Sequence, residues 1–275
     1  MIEIPEAATI ARQAGQTVAG RQIVTAEAGH TPHKFTWFSG EPQRYASELA
    51  GRTIVGARAL ARYVELDLGG QRLALSDGAR LRLLAPDDPR PAKHQLLVEL
   101  DDGSALVCTV QMYAGIALID DEDDTDFYYQ VACDAPSPLT GAFTCDHLRA
   151  LAAEAKPSLS AKGLLATEQR IPGLGNGCLQ DILFSAGIHP QRQIRTLDDS
   201  DLALLYRTLV ETLQDMTAAG GRDTEKDLFG QPGRYRTVLS AKTLALPCPQ
   251  CGGSITRKAF LGGNVYFCPA CQPLS

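Results

Sequence analysis

The sequence lacks long apolar runs and any excess of positive charge, and both absences narrow the class of protein. No apolar stretch in the 275 residues approaches the about 20 residues of a transmembrane helix, and the first residues show no signal-peptide pattern. The formal net charge is −6, so overall charge does not favour a polyanionic partner. We therefore expect a protein with no membrane partner.

The charge is unevenly distributed along the chain. Acidic residues outnumber basic ones in residues 1–150, whereas the last 35 residues contain three basic residues and no acidic residue. Any contact with a polyanion would therefore favour the C-terminal half. The acidic run Asp120–Asp126 is predicted to be a solvated loop rather than a metal site, because like charges in a row usually mark exposed turns.

A disulfide framework is not indicated by the eight cysteines. Four of them are scattered in apolar or mixed surroundings and are expected to be buried thiols: Cys108, Cys133, Cys145 and Cys178. Free thiols persist in a reducing compartment, so we expect a cytoplasmic protein.

The other four cysteines form two CxxC pairs near the C-terminus. Cys248 and Cys251 are separated from Cys268 and Cys271 by sixteen residues, which contain glycine pairs for turns and a strand-forming Val-Tyr-Phe run. This spacing is typical of a four-thiolate site that binds one structural zinc ion, since four cysteines leave no open coordination position. Two disulfides, or four unrelated thiols, are the alternative.

The rest of the chain predicts an α+β protein. Apolar residues recur at helical spacing from Ala7 to Val18, so a helix should follow Glu3 and Pro5. Short alternating segments between about residues 21 and 120 predict an antiparallel β-sandwich or barrel, within a first domain of residues 1–132.

Residues 133–142 contain Ala-Pro-Ser-Pro and are predicted to be a linker. Helical patterns then follow at about 143–155, 160–169, 176–186 and 198–218, which places a helical domain at residues 143–238. The glycine-rich segment 219–236 is predicted to be a mobile loop, and residues 239–275 form the zinc module.

A glycine-rich turn, Ile-Pro-Gly-Leu-Gly-Asn-Gly at 171–177, connects two of the predicted helices. It lacks the strand that a Rossmann motif needs and the Gly-Lys-Ser/Thr of a P-loop. Amides at the start of the following helix could still bind a phosphate, with Asn176 as a further donor. A merely structural turn is the alternative.

Five features of the chain occur in a fixed order: Glu3 with Pro5-Glu6, the β-rich half, the Leu-Gly-Asn turn, Ala-Gly-Ile-His-Pro at 186–190 and the terminal cysteines. In this combination the chain resembles the formamidopyrimidine-DNA glycosylase/endonuclease VIII family. The resemblance implies an N-terminal antiparallel β-sandwich with a flanking helix, a helix-two-turns-helix domain and a C-terminal four-cysteine zinc ribbon. It also implies a nucleoid-associated monomer that binds double-stranded DNA between its halves, with the damaged base flipped out.

The resemblance assigns roles to residues that match the family pattern. Glu3 matches the acid used at the sugar and in proton transfer, and Lys162 and Asn176 match residues that bind DNA phosphates. Arg62 stands where the family has a lysine near the lesion, which keeps the charge but changes the geometry. The segment 219–236 corresponds to the loop that covers an everted base.

The chain departs from the family at its N-terminus. Family enzymes use a proline after the initiator methionine as an amine nucleophile, and here Ile2 takes that place. A bulky second residue normally prevents removal of methionine, so the free amine would belong to Met1. Loss of the proline predicts altered or absent strand cleavage at abasic sites (AP-lyase activity).

Two further departures concern contacts with DNA. The stretch that should supply a wedge arginine contains none. Met112 or Tyr113 would wedge instead, and the alternative is that both are simply strand residues. Gly263 replaces the arginine at the tip of the ribbon, so Asn264 or Arg257 would have to contact the phosphates.

Three functions follow from this reading. A base-excision DNA glycosylase would use water activated by Glu3, or the amine of Met1. The alternative is a non-catalytic DNA-structure binder that keeps the scaffold, which the three departures favour. A protein-interaction scaffold without a DNA role is a third hypothesis, and the salt dependence of DNA binding would test it.

Overall fold

A computed structural model describes residues 1–120 and 126–274, so most of the predicted acidic loop lies outside the described residues. Contacts divide the chain into two compact units. The first comprises Met1–Cys133 and Ala219–Arg234, and the second Asp134–Ala218 and Tyr235–Ser275. Residues 219–234 therefore group with the first unit, although the sequence places them in the helical domain.

The first unit combines a β-sheet with helices. Its helices are α1 (Ile4–Thr17), α2 (Tyr45–Leu49) and α3 (Phe127–Asp134). Its strands are β1 (Ile23–Ala28), β2 (Thr36–Phe38), β3 (Gly56–Leu60), β4 (Tyr63–Asp67), β5 (Gln71–Leu84), β6 (Leu96–Leu100) and β7 (Ala105–Asp120).

The strand order is β1-β6-β7-β5-β4-β3. All neighbours along this path are antiparallel. Strand β2 lies off the path and pairs in parallel with residues 114–116 of β7. Strands β5 and β7 pair along nearly their whole length, with a register shift between Asp77 and Ala79. A Cβ on Gly78 would lie 2.1 Å from the Gln111 carbonyl oxygen, so only glycine fits at this close approach.

Helix α1 covers the main core of the first unit. It begins after Glu3, whose backbone N–H donates to the Glu6 side chain at 3.2 Å, and Pro5 is its second residue. Ile10 and Ala14 pack into the same cluster as sheet residues such as Leu73. Residues 219–234 also contribute to this core, through the fully buried Leu228.

The second unit contains α4 (Cys145–Glu154), α5 (Ala161–Ala166), α6 (Asn176–Ser185), α7 (Asp199–Ala218), β8 (Thr256–Phe260) and β9 (Gly263–Phe267). Thr144 and Ser160 cap α4 and α5 by accepting backbone hydrogen bonds at 3.1 Å. On α7, the helically spaced apolar residues Leu205, Leu209, Leu213 and Met216 are buried in the core. No helix in the described part of the chain is long and apolar enough to cross a bilayer.

The sequence patterns predict neither α2 nor α3, and they predict shorter strands, at residues 71–76 and 104–112, in place of β5 and β7. Helix α3 lies just before the predicted linker and packs through Tyr129 against Tyr63, with ring centroids 5.2 Å apart. The expectation of four buried thiols is also only half right. Cys108 and Cys178 are buried, whereas Cys145 is partly buried and Cys133 is exposed.

Candidate functional sites

The first unit contains a buried ion-pair cluster at the chain's N-terminus. The Arg222 side chain is only 2% exposed and lies between two buried carboxylates. Its guanidinium donates to Glu6 Oε1 and Oε2 at 3.0 and 2.6 Å, and to Glu3 Oε1 at 3.3 Å. The single guanidinium charge thus offsets two carboxylates that would otherwise be costly to bury.

The α-amine of Met1 belongs to the same cluster. It forms an ion pair with Glu225 Oε2, and Arg222 Nη2 approaches the Met1 carbonyl oxygen at 3.4 Å. Attack on a carbon needs the lone pair of the nitrogen, and here the amine is held in an ion pair with Glu225. Glu3, two residues further along the chain, carries a carboxylate that can accept a proton.

A second ion pair holds the residues beside the N-terminus. Arg62 follows β3 and pairs with Asp77 at 3.1 Å, and the Ile2 backbone N–H donates to the Asp77 carbonyl oxygen at 2.6 Å. Burial raises the pKa of Asp77 above its usual range. Asp77 therefore connects the predicted DNA contact Arg62 to the backbone next to Met1.

The two candidate wedge residues lie where β7 bends. Gln111, Met112 and Tyr113 are consecutive exposed residues, which breaks the alternation of a strand, and Met112 has a φ of +75°. The Tyr113 ring lies edge-on to Trp37, with centroids 6.4 Å apart. Met112 is 65% exposed and Trp37 59% exposed, so this bend presents large apolar side chains to solvent.

In the second unit, the zinc-ribbon hairpin covers the predicted phosphate-binding residues. Lys162 is 1% exposed, and its Nζ donates to the Phe260 carbonyl oxygen at 2.6 Å. Burial lowers the pKa of Lys162. Asn176 begins α6, and a Cβ on Gly263 would lie 2.1 Å from Asn176 Nδ2, so no larger residue fits there without movement.

The remaining polar residues fix the ribbon on α6. Gln180 donates to the Asn264 carbonyl oxygen at 3.0 Å and accepts from the Tyr266 N–H at 3.1 Å. Arg257 lies exposed on β8, opposite Tyr266. Of the two candidates to replace the tip arginine, Arg257 is therefore the one that offers a free positive charge at the surface.

The four C-terminal cysteines form the zinc site. Their sulfur atoms all lie within 4.8 Å of one another, with Sγ–Sγ distances of 3.7 Å for Cys248–Cys271 and 3.5 Å for Cys251–Cys268. Zn–S bonds of about 2.3 Å at tetrahedral angles place sulfurs about 3.8 Å apart, which fits this set. The distances exceed the about 2.0 Å of a disulfide, so the disulfide alternative is wrong.

A second group of possible metal ligands lies at the β1–β6 edge. The Glu27 carboxylate contacts His30 Nδ1 at 2.8 Å and His94 Nε2 at 3.2 Å. The two imidazole rings stack with centroids 4.5 Å apart. Carboxylate–imidazole hydrogen bonding and ring stacking account for this group without a metal.

Sequence reasoning missed Arg222, Glu225 and Asp77. Arg222 and Glu225 lie within the segment interpreted as a loop, and their partners are 216 to 224 residues away. Asp77 lies inside a strand pattern. No local spacing in the sequence signals any of these contacts.

Comparison with protein families divides the chain into three matched regions. Residues 1–119 match the formamidopyrimidine-DNA glycosylase N-terminal domain, residues 135–227 match the H2TH domain of the same enzymes, and residues 245–274 match the zinc finger found in FPG and IleRS. These matches confirm the predicted zinc ribbon and helix-two-turns-helix domain.

Full-length relatives show the same similarity. A formamidopyrimidine-DNA glycosylase of Chloroflexus aggregans is 30% identical over 100% of this chain and 99% of its own. One from Lactococcus lactis subsp. cremoris is 26% identical, with 99% of each chain covered.

Solved structures of the Lactococcus lactis enzyme Fpg share the fold. Its complex with DNA containing an abasic site aligns with a TM-score of 0.83 at 25% identity, over 98% of this chain and 99% of that one. Its complex with DNA containing Fapy-dG aligns with a TM-score of 0.84 at 25% identity, over 98% and 100%.

Proposed function

Because this chain belongs to the formamidopyrimidine-DNA glycosylase family, we propose that it is a base-excision DNA glycosylase that binds double-stranded DNA with a damaged base. We propose further that it breaks the N-glycosidic bond with water, and that its AP-lyase activity is weak or absent. The observation that carries this proposal is the cluster in which the buried Glu3 and Arg222 lie beside the part-buried amine of Met1.

Glu3 is the proposed general base. Its side chain is 5% exposed and is oriented by Arg222, so little of its carboxylate is solvated. In the proposed reaction, Glu3 accepts a proton from water as the water oxygen bonds to the sugar C1′. The C1′–N bond breaks, the base leaves with the bonding electron pair and takes up a proton from solvent, and a free abasic sugar remains.

The amine of Met1 is the competing nucleophile. Schiff-base formation needs an unprotonated amine within reach of C1′, and here the amine is engaged by Glu225. Ile2 also displaces the terminal nitrogen by one residue from the place that a second-position proline would occupy. Both features favour hydrolysis over the covalent route.

The DNA contacts are proposed from the placement of charged and apolar side chains. In the first unit, Arg62 and the exposed bend at Met112 and Tyr113 would contact the lesion site and the gap left by the flipped base. In the second unit, Arg257 supplies an exposed charge, and the Asn176 amide and the Lys162 ammonium would bind phosphates after the ribbon hairpin shifts. In this proposal the protein acts as a monomer on chromosomal DNA in the cytoplasm.

A base-release assay tests the proposal. Duplexes that each carry one oxidised or ring-opened base are incubated with the protein, and free base is measured separately from strand cleavage. We expect base release without strand nicking, abolished in a Glu3→Gln variant and retained in Glu41→Gln, which changes an exposed carboxylate. Because Gln can still accept the Arg222 hydrogen bond, matched thermal melts should show that Glu3→Gln folds.

The second candidate is a non-catalytic binder of damaged DNA. The ion pair between Met1 and Glu225 favours it, because it occupies the one amine that could replace the proline nucleophile. This candidate would be supported if the protein binds the damaged duplexes but releases no base from any of them, and if Glu3→Gln leaves the binding unchanged. The same result would contradict the glycosylase proposal.

A further inference from the structure

Three side chains at the β1–β6 edge of the first unit form a Glu–His–His cluster: Glu27, His30 and His94. Glu27 lies near the end of β1, His30 in the turn that follows, and His94 two residues before β6. Each side chain offers one ligand atom, and these atoms all lie within 4.8 Å of one another. The cluster shares no residue with the N-terminal ion-pair cluster or with the zinc ribbon.

The hydrogen bonds of His94 leave a lone pair facing Glu27. His94 Nδ1 lies 3.1 Å from the Pro91 carbonyl oxygen, which can only accept, so Nδ1 carries the ring proton. In the neutral imidazole Nε2 is then an acceptor, and it lies 3.2 Å from Glu27 Oε2, which is also an acceptor. Two acceptors that face each other need a cation between them. Hydrogen bonding therefore holds the cluster without a metal only while a second proton occupies this place.

The separation of these two acceptors also fits a shared metal ion. Zinc binds imidazole nitrogen and carboxylate oxygen at about 2.0–2.2 Å, so two such ligands at an angle of about 100° lie about 3.2 Å apart. His94 Nε2 and Glu27 Oε2 have this separation. Metal-binding histidines usually donate their other ring N–H to a carbonyl or carboxylate oxygen, which fixes the ring, and the contact with Pro91 is of this kind.

His30 supplies the third ligand atom. Its Nδ1 lies 2.8 Å from Glu27 Oε1, and its ring stacks on that of His94 with centroids 4.5 Å apart and an angle of 12° between the planes. Two parallel rings cannot direct both lone pairs at one ion, so His30 has to turn out of the stack when a metal binds. Its side chain is 44% exposed and follows a strand end, which leaves it room to turn.

Glu27 is available as a ligand, and the backbone around it is already fixed. No arginine or lysine in the described part of the chain pairs with Glu27. The hydrogen bond from His30 foremost lowers the pKa of Glu27, which favours the ionised carboxylate that a metal needs. Thr31 N–H donates to the His94 carbonyl oxygen at 3.0 Å, and His94 N–H donates to Thr31 Oγ1 at 3.2 Å. Metal binding therefore has to order only side chains.

We propose that the Glu–His–His cluster binds one divalent transition-metal ion of the kind that imidazole and carboxylate ligands suit, such as zinc. The ion takes the place of the proton between His94 and Glu27, and His30 completes the set of protein ligands. It joins the turn after β1 to the residues before β6, so binding stabilises the first unit. This site is additional to the ribbon zinc and does not depend on the proposed function.

Calorimetric titration with Zn²⁺ tests the proposal. The full chain, shown by metal analysis to hold one zinc ion in its ribbon, is titrated in slightly alkaline buffer, where most imidazoles are neutral. We expect the wild type to bind one further ion and its melting temperature to rise. His30→Gln removes a ligand from an exposed turn and should weaken this binding about tenfold or more. His33→Gln, in the same segment but outside the cluster, is the matched control and should bind as the wild type does.

Cobalt separates the cluster from the ribbon. Co²⁺ bound by nitrogen and oxygen absorbs weakly in the visible range, whereas Co²⁺ bound by thiolates also absorbs strongly in the near ultraviolet. We expect Co²⁺ added to the zinc-loaded protein to give the weak bands alone, and His30→Gln to lose them.

Three results would each overturn the proposal: no second zinc ion in the wild type, unchanged affinity in a folded His30→Gln, or a thiolate band as the only cobalt signal. None of them bears on base release, so the proposed function is tested separately.

Discussion

Replacing Arg222 with methionine should destabilise the first unit strongly. Methionine fills much of the volume but leaves the Glu3 and Glu6 carboxylates buried without the cation that now contacts both. Removing one partner of a buried ion pair costs about 3–5 kcal/mol. That is a large share of the about 5–15 kcal/mol that stabilises a typical domain.

Chemical denaturation followed by Trp37 fluorescence measures this cost, because Trp37 lies in the same unit as Arg222. The matched control is Arg44→Met, which breaks an ion pair between Glu48 and an Arg44 side chain that is 70% exposed. Exposed pairs contribute about 1 kcal/mol or less, so the control should be nearly neutral.

Coupling within the cluster gives a further check. In the Arg222→Met background, Glu6→Gln removes an uncompensated charge, so the double variant should be more stable than the sum of the single effects predicts. Two results would contradict the stabilising role of this cluster. One is that Arg222→Met lowers the free energy of unfolding no more than Arg44→Met does. The other is that the effects of Arg222→Met and Glu6→Gln are additive.

Three other outcomes are expected. Gly263→Ala should lower the melting temperature, because its Cβ would lie 2.1 Å from Asn176 Nδ2, and Asn176→Ala should restore it; an unchanged melt in Gly263→Ala would contradict this contact. Thiol modification followed by a zinc-sensitive dye should release one zinc ion per chain with loss of the ribbon fold, whereas no release would contradict the site. Lys162→Met should lower DNA affinity and reduce the slope of log affinity against log salt by about 1, since one phosphate contact is lost; an unchanged slope would exclude Lys162 from DNA binding.

The sequence predicts the parts of this protein whose signals are local. A CxxC pair brings two ligands together within one turn, so the zinc ribbon follows from spacing alone. The four main helices of the second unit follow from 3.6-residue periodicity, and their observed ends lie within three residues of the predicted ones.

The parts that the sequence does not predict depend on distant contacts. Gly78 and the exposed run at Met112 resemble the ends of short strands. The pairing of β5 with β7 is interrupted at these residues, but the two strands pair again on the other side. The buried ion-pair cluster joins Glu3 and Glu6 to Arg222, more than 215 residues away, and only folding brings them together. The segment 219–236, rich in glycine and mixed charge, has the composition of a loop, whereas the fold buries its Arg222.

Borohydride trapping on abasic-site DNA tests the central claim most directly. The wild type, with Met1 shown to be retained by intact mass, should give little or no covalent adduct, because Glu225 engages the amine. Glu225→Gln removes the paired charge and should increase the adduct, while the exposed change Glu41→Gln should not. A strong wild-type adduct that disappears when the N-terminus is blocked would contradict hydrolysis by water and show that the Met1 amine is the nucleophile.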